Sequence, residues 1–176
     1  MQLIPPGPEF ARMLKEFEHS AFRLETRDSY AAPSEAAAFA QFLAGEEPDM
    51  GWFQNWLASI RTTTGNGRTF RRVRVVTVPL SDYVRFSVNV AELANEAGED
   101  IRYVARQDAA GLPEFDYWLF DSRTVGKMHF DDEDEFLGVE LIDDPTTVVE
   151  LNYQRDAAWH RAITRDDFAA KHIDKL

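Results

Sequence analysis

The chain has 176 residues, of which 44% are apolar and 28% charged, and this composition suits a single globular domain with an ample core. It contains no cysteine, which excludes disulfides, thiolate nucleophiles and cysteine-ligated zinc. Its net charge of −12 disfavours duplex DNA and anionic membranes as partners, and no apolar run approaches the roughly 20 residues that span a bilayer, so we expect a soluble, cytoplasmic protein.

Residues 1–62 are predicted to form a mainly helical extension. Apolar residues recur at helical spacing over residues 8–17, and two further helices are expected to begin at Ser34 and at Asp49, each serving as an N-cap. Residues 21–25 alternate between apolar and polar and favour a short strand. Short helices are marginally stable alone, so we expect this segment to pack onto the rest of the chain.

The apolar pattern changes period in the second part of the chain, residues 68–164. A β-branched run over residues 70–78 predicts a buried strand, and Ser81 is the expected N-cap of the next helix. Residues 101–105 predict a second strand. Strand, helix and strand with short connections form a βαβ unit, for which we expect a parallel strand pair.

A β-meander and a helix complete the predicted fold. Asp144 and Pro145 indicate the start of a long C-terminal helix, with Asp as N-cap and Pro in the first turn. The three meander strands are expected at residues 115–120, 125–130 and 136–142. The sequence therefore predicts one mixed α/β domain over residues 1–176, with a central mixed sheet of five or six strands and flanking helices.

Charge is distributed unevenly along the chain. Residues 61–74 contain five arginines and no acid: Arg61, Arg68, Arg71, Arg72 and Arg74. They could bind phosphate groups or the acidic surface of a partner. Alternatively, Arg71, Arg72 and Arg74 line the polar side of one strand and pair with carboxylates elsewhere in the chain. The large excess of acid favours the second interpretation.

Residues 131–135 are five consecutive acids. His129 lies two residues before Asp131 at a predicted strand end, so the two side chains should point the same way and could perform acid–base work or, with Asp132, contact a metal ion. A solvated hairpin turn that protects the sheet edge explains the acidic run more simply. We therefore predict no catalytic residue, no metal site and no cofactor.

Trp52 lies off the apolar stripe of the predicted helix that follows Asp49, and we expect it to be partly exposed. An exposed tryptophan near arginines is a typical hot spot for a protein partner. The candidate residues for binding a partner or ligand are Trp52, Arg61, Arg71, Arg72 and Arg74.

Several short segments resemble an uncharacterised actinobacterial family whose members are often encoded beside helix-turn-helix regulators. The segments are FEHSAFRLE at residues 17–25, FLAGE at 42–46, RVRVV at 72–76, PLSDY at 79–83 and GEDIRY at 98–103. This resemblance implies a regulatory context and a protein partner, for which a helix-turn-helix regulator is the candidate. It implies no known activity.

The order of elements over residues 70–163 is similar to one half of a phospholipase D-like domain. Active members carry a His, a Lys two residues later and an Asp five residues beyond the Lys, and the His forms a covalent phosphohistidine. Alignment of that Asp on Asp121 places Glu114 at the His position and Asp116 at the Lys position. Acids there reverse the electrostatics that phosphoryl chemistry requires, so the resemblance implies the fold without the activity.

The sequence thus predicts a non-catalytic regulatory or protein-binding module that acts with a helix-turn-helix regulator. One alternative is a sensor of a small phosphorylated or anionic ligand, bound at the carboxyl ends of strands 70–78 and 101–105. Another is a metal-dependent phosphodiesterase that uses His129. A deep pocket lined by Arg71 or Arg74 would favour the sensor, and a flat apolar patch with Trp52 exposed would favour the protein-binding module. No oligomeric state is predicted.

Overall fold

The computed structural model describes residues 3–173, which form a seven-stranded mixed sheet with helices on both faces. The strands are β1 (Ser20–Glu25), β2 (Thr69–Val76), β3 (Asp100–Ala105), β4 (Tyr117–Phe120), β5 (Thr124–Phe130), β6 (Phe136–Ile142) and β7 (Ile163–Thr164). The α-helices are α1 (Pro8–Glu16), α2 (Ala36–Leu43), α3 (Gln54–Gly65), α4 (Asp82–Ala97), α5 (Pro145–Arg161) and α6 (Arg165–His172). None of these helices is long and apolar enough to cross a membrane.

The strands lie in the order β6-β5-β4-β1-β2-β3-β7. The central strands β1, β2 and β3 are parallel, whereas β4, β5 and β6 form the predicted antiparallel meander. The mixed α/β fold class is therefore confirmed. The sheet has more strands than the predicted five or six because β7, only two residues long, pairs with β3 without any apolar pattern of its own.

The N-terminal segment is mainly helical, as predicted, but it also supplies the centre of the sheet. Strand β1 lies between β2 and β4, with Ser20 paired to Thr69 at the start of its parallel register. Its residues alternate between the two faces, and both faces are covered, so the strand is largely buried. The first part of the chain is thus integral to the sheet.

Local signals define the helix that covers the parallel strands. Ser81 Oγ accepts a hydrogen bond from Val84 N at 3.2 Å and caps the start of α4. Gly98 ends α4 with φ of 118°, a conformation that favours glycine, and a Cβ there would lie 2.4 Å from Thr64 Oγ1 of α3. Asp144 caps α5 as predicted, whereas Ser34 lies in a 3₁₀ turn before α2 and its side chain does not cap.

The two faces of the sheet have different coverings. On one face, α5 packs on Phe22, Leu24 and the apolar residues of β2 and β4 that point the same way. On the other face, α1, α3, α4 and α6 pack against the sheet. Four charged side chains of β1 and β2, namely Arg23, Glu25, Arg72 and Arg74, point to this second face, and the candidate site forms there.

Candidate functional site

A cavity of about 690 Å³ lies over the face of the sheet that α1, α3 and α4 cover. Alternation along β1 directs Arg23 and Glu25 into it, and alternation along β2 directs Arg72 and Arg74. The parallel register places Arg23 beside Arg72 and Glu25 beside Arg74. Four charged side chains therefore form the floor of the cavity in the middle of the sheet.

Glu25 is the centre of this floor. Its carboxylate accepts hydrogen bonds from Arg72 Nη1 and Arg74 Nε, each at 2.6 Å, and its Oε1 lies 3.3 Å from Arg23 Nε. Burial opposes ionisation of Glu25, but the three guanidinium groups outweigh it and hold its pKa well below the ordinary value. Glu25 is therefore a permanent anion at physiological pH.

Two further carboxylates complete the pairing of the arginines. Asp116, just before β4, accepts from Arg23 Nη2 at 3.2 Å, from Tyr30 OH at 2.6 Å and from both the N–H and the hydroxyl of Thr26 at 2.8 Å. Glu99, just before β3, accepts from Arg72 Nε at 2.8 Å. Three arginines and three carboxylates thus form a neutral buried network.

Aromatic side chains form much of the cavity wall. They come from α1, the 3₁₀ turn Gly51–Phe53, α3, the start of α4, strand β4 and the β5–β6 hairpin, together with the 27–35 loop. They are Phe10, Tyr30, Trp52, Phe53, Trp56, Tyr83, Trp118, Phe130 and Phe136. A smaller hollow of about 300 Å³ shares Tyr30, Ala32, Tyr83 and other residues with the cavity, and we call this shared boundary the mouth.

Glu35 lies at this mouth and accepts a hydrogen bond from Tyr83 OH at 2.6 Å. Burial raises the pKa of Glu35 above its ordinary value, although the Tyr83 hydroxyl and the more distant Arg74 act in the opposite direction. Burial also raises the pKa of Tyr83, so the phenol stays protonated and donates. Glu35 is therefore easier to protonate than a carboxyl group in water.

The side wall near the mouth is held by the acidic hairpin. Arg27 Nε donates to Asp134 Oδ1 at 2.8 Å, and Ala31 N donates to the Asp134 carbonyl at 3.1 Å, so the 27–35 loop is tied to the hairpin. Asp131 Oδ1 accepts from Glu133 N and Glu135 N at 2.9 Å within the turn. The acidic run therefore forms a hairpin turn and part of the cavity rim.

Four buried polar atoms of the described residues have no hydrogen-bond partner, and all four belong to side chains that line the cavity. All four are side-chain atoms: Trp52 Nε1, Trp118 Nε1, Glu99 Oε2, and Arg23 Nε, which lies 3.3 Å from Glu25 Oε1 without hydrogen-bond geometry. A buried donor or acceptor without a partner costs about 1–3 kcal/mol, and native proteins contain few of them. Their concentration around one cavity distinguishes this region from the rest of the described chain.

The five candidate binding residues do not form one site. Arg72 and Arg74 lie in the cavity floor, and Trp52 is half-buried in its wall. Arg61 is exposed on α3, and Arg71 lies on the opposite face of the sheet, 5.0 Å from the centre of the Trp159 ring. The prediction that Arg71 shares one side of the strand with Arg72 and Arg74 was wrong, because successive residues of a strand point to opposite faces.

The positions aligned with phospholipase D chemistry have separate environments. Glu114 is exposed, whereas Asp116 is buried in the floor network. Asp121 accepts hydrogen bonds from the backbone N–H of residues 18, 19 and 20 at 2.7–2.9 Å. Burial opposes its ionisation, but these N–H groups hold its pKa below the ordinary value. Asp121 therefore anchors the start of β1.

The proposed His129–Asp131 pair does not form. His129 Nε2 lies 2.9 Å from Glu140 Oε2 on β6, while Asp131 bonds the backbone of its own turn. Asp132 is exposed. Within residues 3–173, no group of three or more His, Asp or Glu side chains is arranged to hold a metal ion.

Most of the residues that form the cavity floor and mouth were missed by the sequence analysis. Arg23 and Glu25 are separated by two positions in a predicted strand, so they had to share a face, and Arg72 and Arg74 repeat that spacing. This pattern of charges on strands of a large sheet was the available signal. No comparable signal identifies Glu35 or Glu99, which join the site through tertiary packing.

A seven-stranded mixed sheet with helices on both faces defines a mixed α/β domain. Eighteen chains of solved structures match the chain, among them NucT from Helicobacter pylori, with a TM-score of 0.55, 8% sequence identity, and coverage of 89% of this chain and 88% of that one. The protein belongs to the DUF6879 family, a domain of unknown function, whose family model matches residues 8–170. No curated protein sequence matches it significantly.

Proposed function

We propose that this protein is a non-catalytic binding domain that takes a small organic molecule in the cavity over its sheet. The observation that carries the proposal is the set of four unpartnered buried polar atoms around one aromatic-walled space. Its volume of about 690 Å³ falls in the range of about 300–1,000 Å³ that is typical of small-molecule sites. An aromatic wall with a few fixed polar groups is also the usual composition of such sites.

The cavity favours the ligand-sensor hypothesis over a flat protein interface. It contains Arg74, as the sensor hypothesis required, and Trp52 belongs to its wall. Binding to a protein partner such as a helix-turn-helix regulator stays a separate proposal, which rests on the family resemblance. Substitution of both Trp52 and Arg61 by Ala is expected to weaken recovery of that partner in a pull-down, and unchanged recovery would contradict it.

Phosphodiester hydrolysis is the second candidate, because the fold matches a phospholipase D-like structure along most of the chain. The two acids, Glu114 and Asp116, stand against it under the alignment on Asp121. We expect no hydrolysis of bis(4-nitrophenyl) phosphate above a heat-treated sample, with or without added Mg²⁺, Mn²⁺ or Zn²⁺. Turnover that is lost in Asp121→Asn, with folding retained, would favour the enzyme.

Indole N–H signals provide a direct test of the binding proposal. Three of the four tryptophans, Trp52, Trp56 and Trp118, line the cavity, whereas Trp159 packs on the opposite face of the sheet. A small-molecule fraction of a cell extract, below about 1 kDa, is added to ¹⁵N-labelled protein. We expect the three cavity signals to shift while the Trp159 signal stays in place.

A matched pair of variants localises the effect. Ala32 lies at the mouth shared by the cavity and the smaller hollow, so Ala32→Phe should obstruct entry and abolish the shifts. Ala37 is exposed on α2 outside both spaces, so Ala37→Phe should leave the shifts unchanged. Shifts that are absent in the unmodified protein, or that affect all four indoles equally, would overturn the proposal.

A further inference from the structure

We propose that the cavity selects an organic cation, with an ammonium or amidinium group on an apolar or aromatic body, over anions of the same size. This inference rests on the proposed function, namely that the cavity is a ligand site. It differs from the phosphorylated or anionic ligand that the arginine-rich segment suggested. The reason lies in how the charges of the cavity are paired.

Every arginine that lines the cavity already has a carboxylate partner within the protein. Arg23 pairs with Glu25 and Asp116, Arg72 with Glu25 and Glu99, and Arg74 with Glu25. At the rim, Arg27 pairs with Asp134. The four arginines are thus matched by four carboxylates, and none of them is left to neutralise an anionic ligand.

Two lining carboxylates remain without a cationic partner among the described residues. Glu35 has Tyr83 OH as its hydrogen-bond donor and forms no ion pair, and Glu135 forms none either. Both residues line the cavity and the smaller hollow at their shared mouth. The mouth therefore carries an excess of negative charge, which attracts cations and repels anions.

One of the four unpartnered buried atoms, Glu99 Oε2, also favours a cation. Glu99 Oε1 is bonded by Arg72, but Glu99 Oε2 has no donor, although the side chain is fully buried and lines the cavity. A carboxylate oxygen accepts hydrogen bonds and cannot donate them when ionised. A ligand atom that satisfies Glu99 Oε2 is a donor, and a positively charged donor forms the stronger bond. The other three unpartnered atoms, Arg23 Nε, Trp52 Nε1 and Trp118 Nε1, are donors, and a neutral acceptor on the ligand is enough to satisfy them.

The aromatic wall also favours a cation. The ring centroids of Tyr30 and Tyr83 lie 6.2 Å apart at the mouth beside Glu35. Further along the wall, the ring centroids of Trp52 and Phe53 lie 4.9 Å apart. The faces of such rings attract ammonium and guanidinium groups, and the apolar body of the ligand can pack against them. Carboxylate and aromatic ring together form the combination that recognises organic cations.

The experiment compares three probes that share an indole ring and differ in the charge of the side chain: tryptamine, a cation, tryptophol, which is neutral, and indole-3-acetate, an anion. Binding to the full chain is measured by calorimetry and by the shifts of the Trp52, Trp56 and Trp118 indole signals. We expect tryptamine to bind at least about ten-fold more tightly than indole-3-acetate, with tryptophol between them.

Variants of the mouth test the cause of the preference. The double variant Glu35→Gln, Glu135→Gln keeps the shape of both side chains and removes their charge, so the preference for tryptamine over tryptophol should fall to within about two- to three-fold. Glu133 lies in the same acidic run but outside the cavity, so Glu133→Gln should keep the preference.

The outcomes separate this inference from the proposed function. Indole-3-acetate binding as tightly as tryptamine, or a preference that the double variant leaves intact, would overturn the cation selectivity while the cavity stayed a ligand site. If none of the three probes bound and the cell-extract fraction moved no indole signal, both proposals would fail. If the extract alone produced shifts, only the selectivity inferred here would be wrong.

Discussion

Arg72 donates a hydrogen bond from Nη1 to Glu25 Oε1 at 2.6 Å, between the neighbouring parallel strands β2 and β1, and both residues are buried. Moving two charges out of water costs several kcal/mol each, and their attraction offsets this only when every charge is paired. Apolar residues of similar volume are often as stabilising in such positions. The network is therefore better explained by the polar cavity floor that it forms than by stability.

Removal of the central carboxylate should strongly destabilise the fold. Glu25→Gln leaves Arg72, Arg74 and Arg23 with one negative charge fewer among them, in a place where water cannot compensate. We expect the free energy of unfolding in urea, followed by tryptophan fluorescence, to fall by about 3–5 kcal/mol.

The control is an ion pair at the surface. Glu92 lies 3.2 Å from Arg165 and is more than half exposed, so Glu92→Gln should cost less than about 1 kcal/mol. Equal losses for Glu25→Gln and Glu92→Gln would show that the buried network contributes no more than a surface pair.

Acid should weaken the fold partly through Glu25. Its folded pKa is held below the unfolded value, which is about 4.3, by Arg74, Arg72 and Arg23 against the effect of burial. The ionised group therefore contributes stability that is fully present above about pH 5 and is lost as the pH falls below the unfolded pKa towards the folded one.

The slope of stability against pH measures this contribution. Between about pH 5 and pH 3, the free energy of unfolding of the unmodified protein should fall more steeply than that of Glu25→Gln, because the variant has one proton fewer to take up on unfolding. Since all other carboxylates are common to both proteins, the difference isolates Glu25. Parallel curves would contradict the low folded pKa.

Much of the fold could be predicted because its signals are local. Ser81 and Asp144 mark helix starts whose geometry depends on a few neighbouring residues, and each caps its helix where the pattern placed it. The central position of β1 could not be predicted, since strand order depends on pairing between distant segments. Arg23 and Asp116 illustrate this, because 93 positions separate the two residues of one ion pair.

The site was harder to predict than the fold for a related reason. The arginine-rich segment was identified as a unit, but only Arg72 and Arg74 reach the cavity, and their carboxylate partners come from β1 and from the residue before β3. Strand periodicity could have separated Arg71 from them. The excess of acid predicted that Arg72 and Arg74 pair with carboxylates of the chain, and this is confirmed. The sequence alone could not show that Glu25 and Glu99 are those carboxylates.

Asp116 should be a structural residue that cannot be converted into a phospholipase D-like lysine. It accepts bonds from Arg23, Thr26 and Tyr30, and a lysine cannot accept any of them. Asp116→Lys would also place a second buried cation beside Arg23. We expect a loss of unfolding free energy of at least about 3 kcal/mol and no gain of hydrolysis of bis(4-nitrophenyl) phosphate.

Glu114 provides the matched control, since it lies two positions away and is exposed. Glu114→Lys should change the free energy of unfolding by no more than about 0.5 kcal/mol. If Asp116→Lys, or the double variant Glu114→Lys, Asp116→Lys, were as stable as the unmodified protein, the floor network would tolerate an added cation. That result would weaken the charge argument for the ligand.

Neutralisation of Glu35 should stabilise the protein at neutral pH. Burial is the main cause of its raised pKa, and it acts against the hydrogen bond from Tyr83 and the charge of Arg74, while Glu25 reinforces it. A folded pKa above the unfolded value means that Glu35 contributes stability below the unfolded pKa of about 4.3 and loses it as the pH rises through the folded pKa. Above that window the ionised carboxylate is a cost to the fold.

Glu35→Gln keeps the shape of the side chain and removes its charge at every pH. We therefore expect the variant to melt at a higher temperature than the unmodified protein at pH 7, and the difference to shrink as the pH approaches 4, where the unmodified carboxyl is protonated as well. Thermal melting at several pH values in that interval checks the direction. Saturating tryptamine at pH 7 should make the unmodified protein melt at a higher temperature than Glu35→Gln, because the bound cation stabilises the Glu35 carboxylate much more than the neutral amide of the variant. If the variant still melts at the higher temperature with saturating tryptamine, the cation binds elsewhere in the cavity.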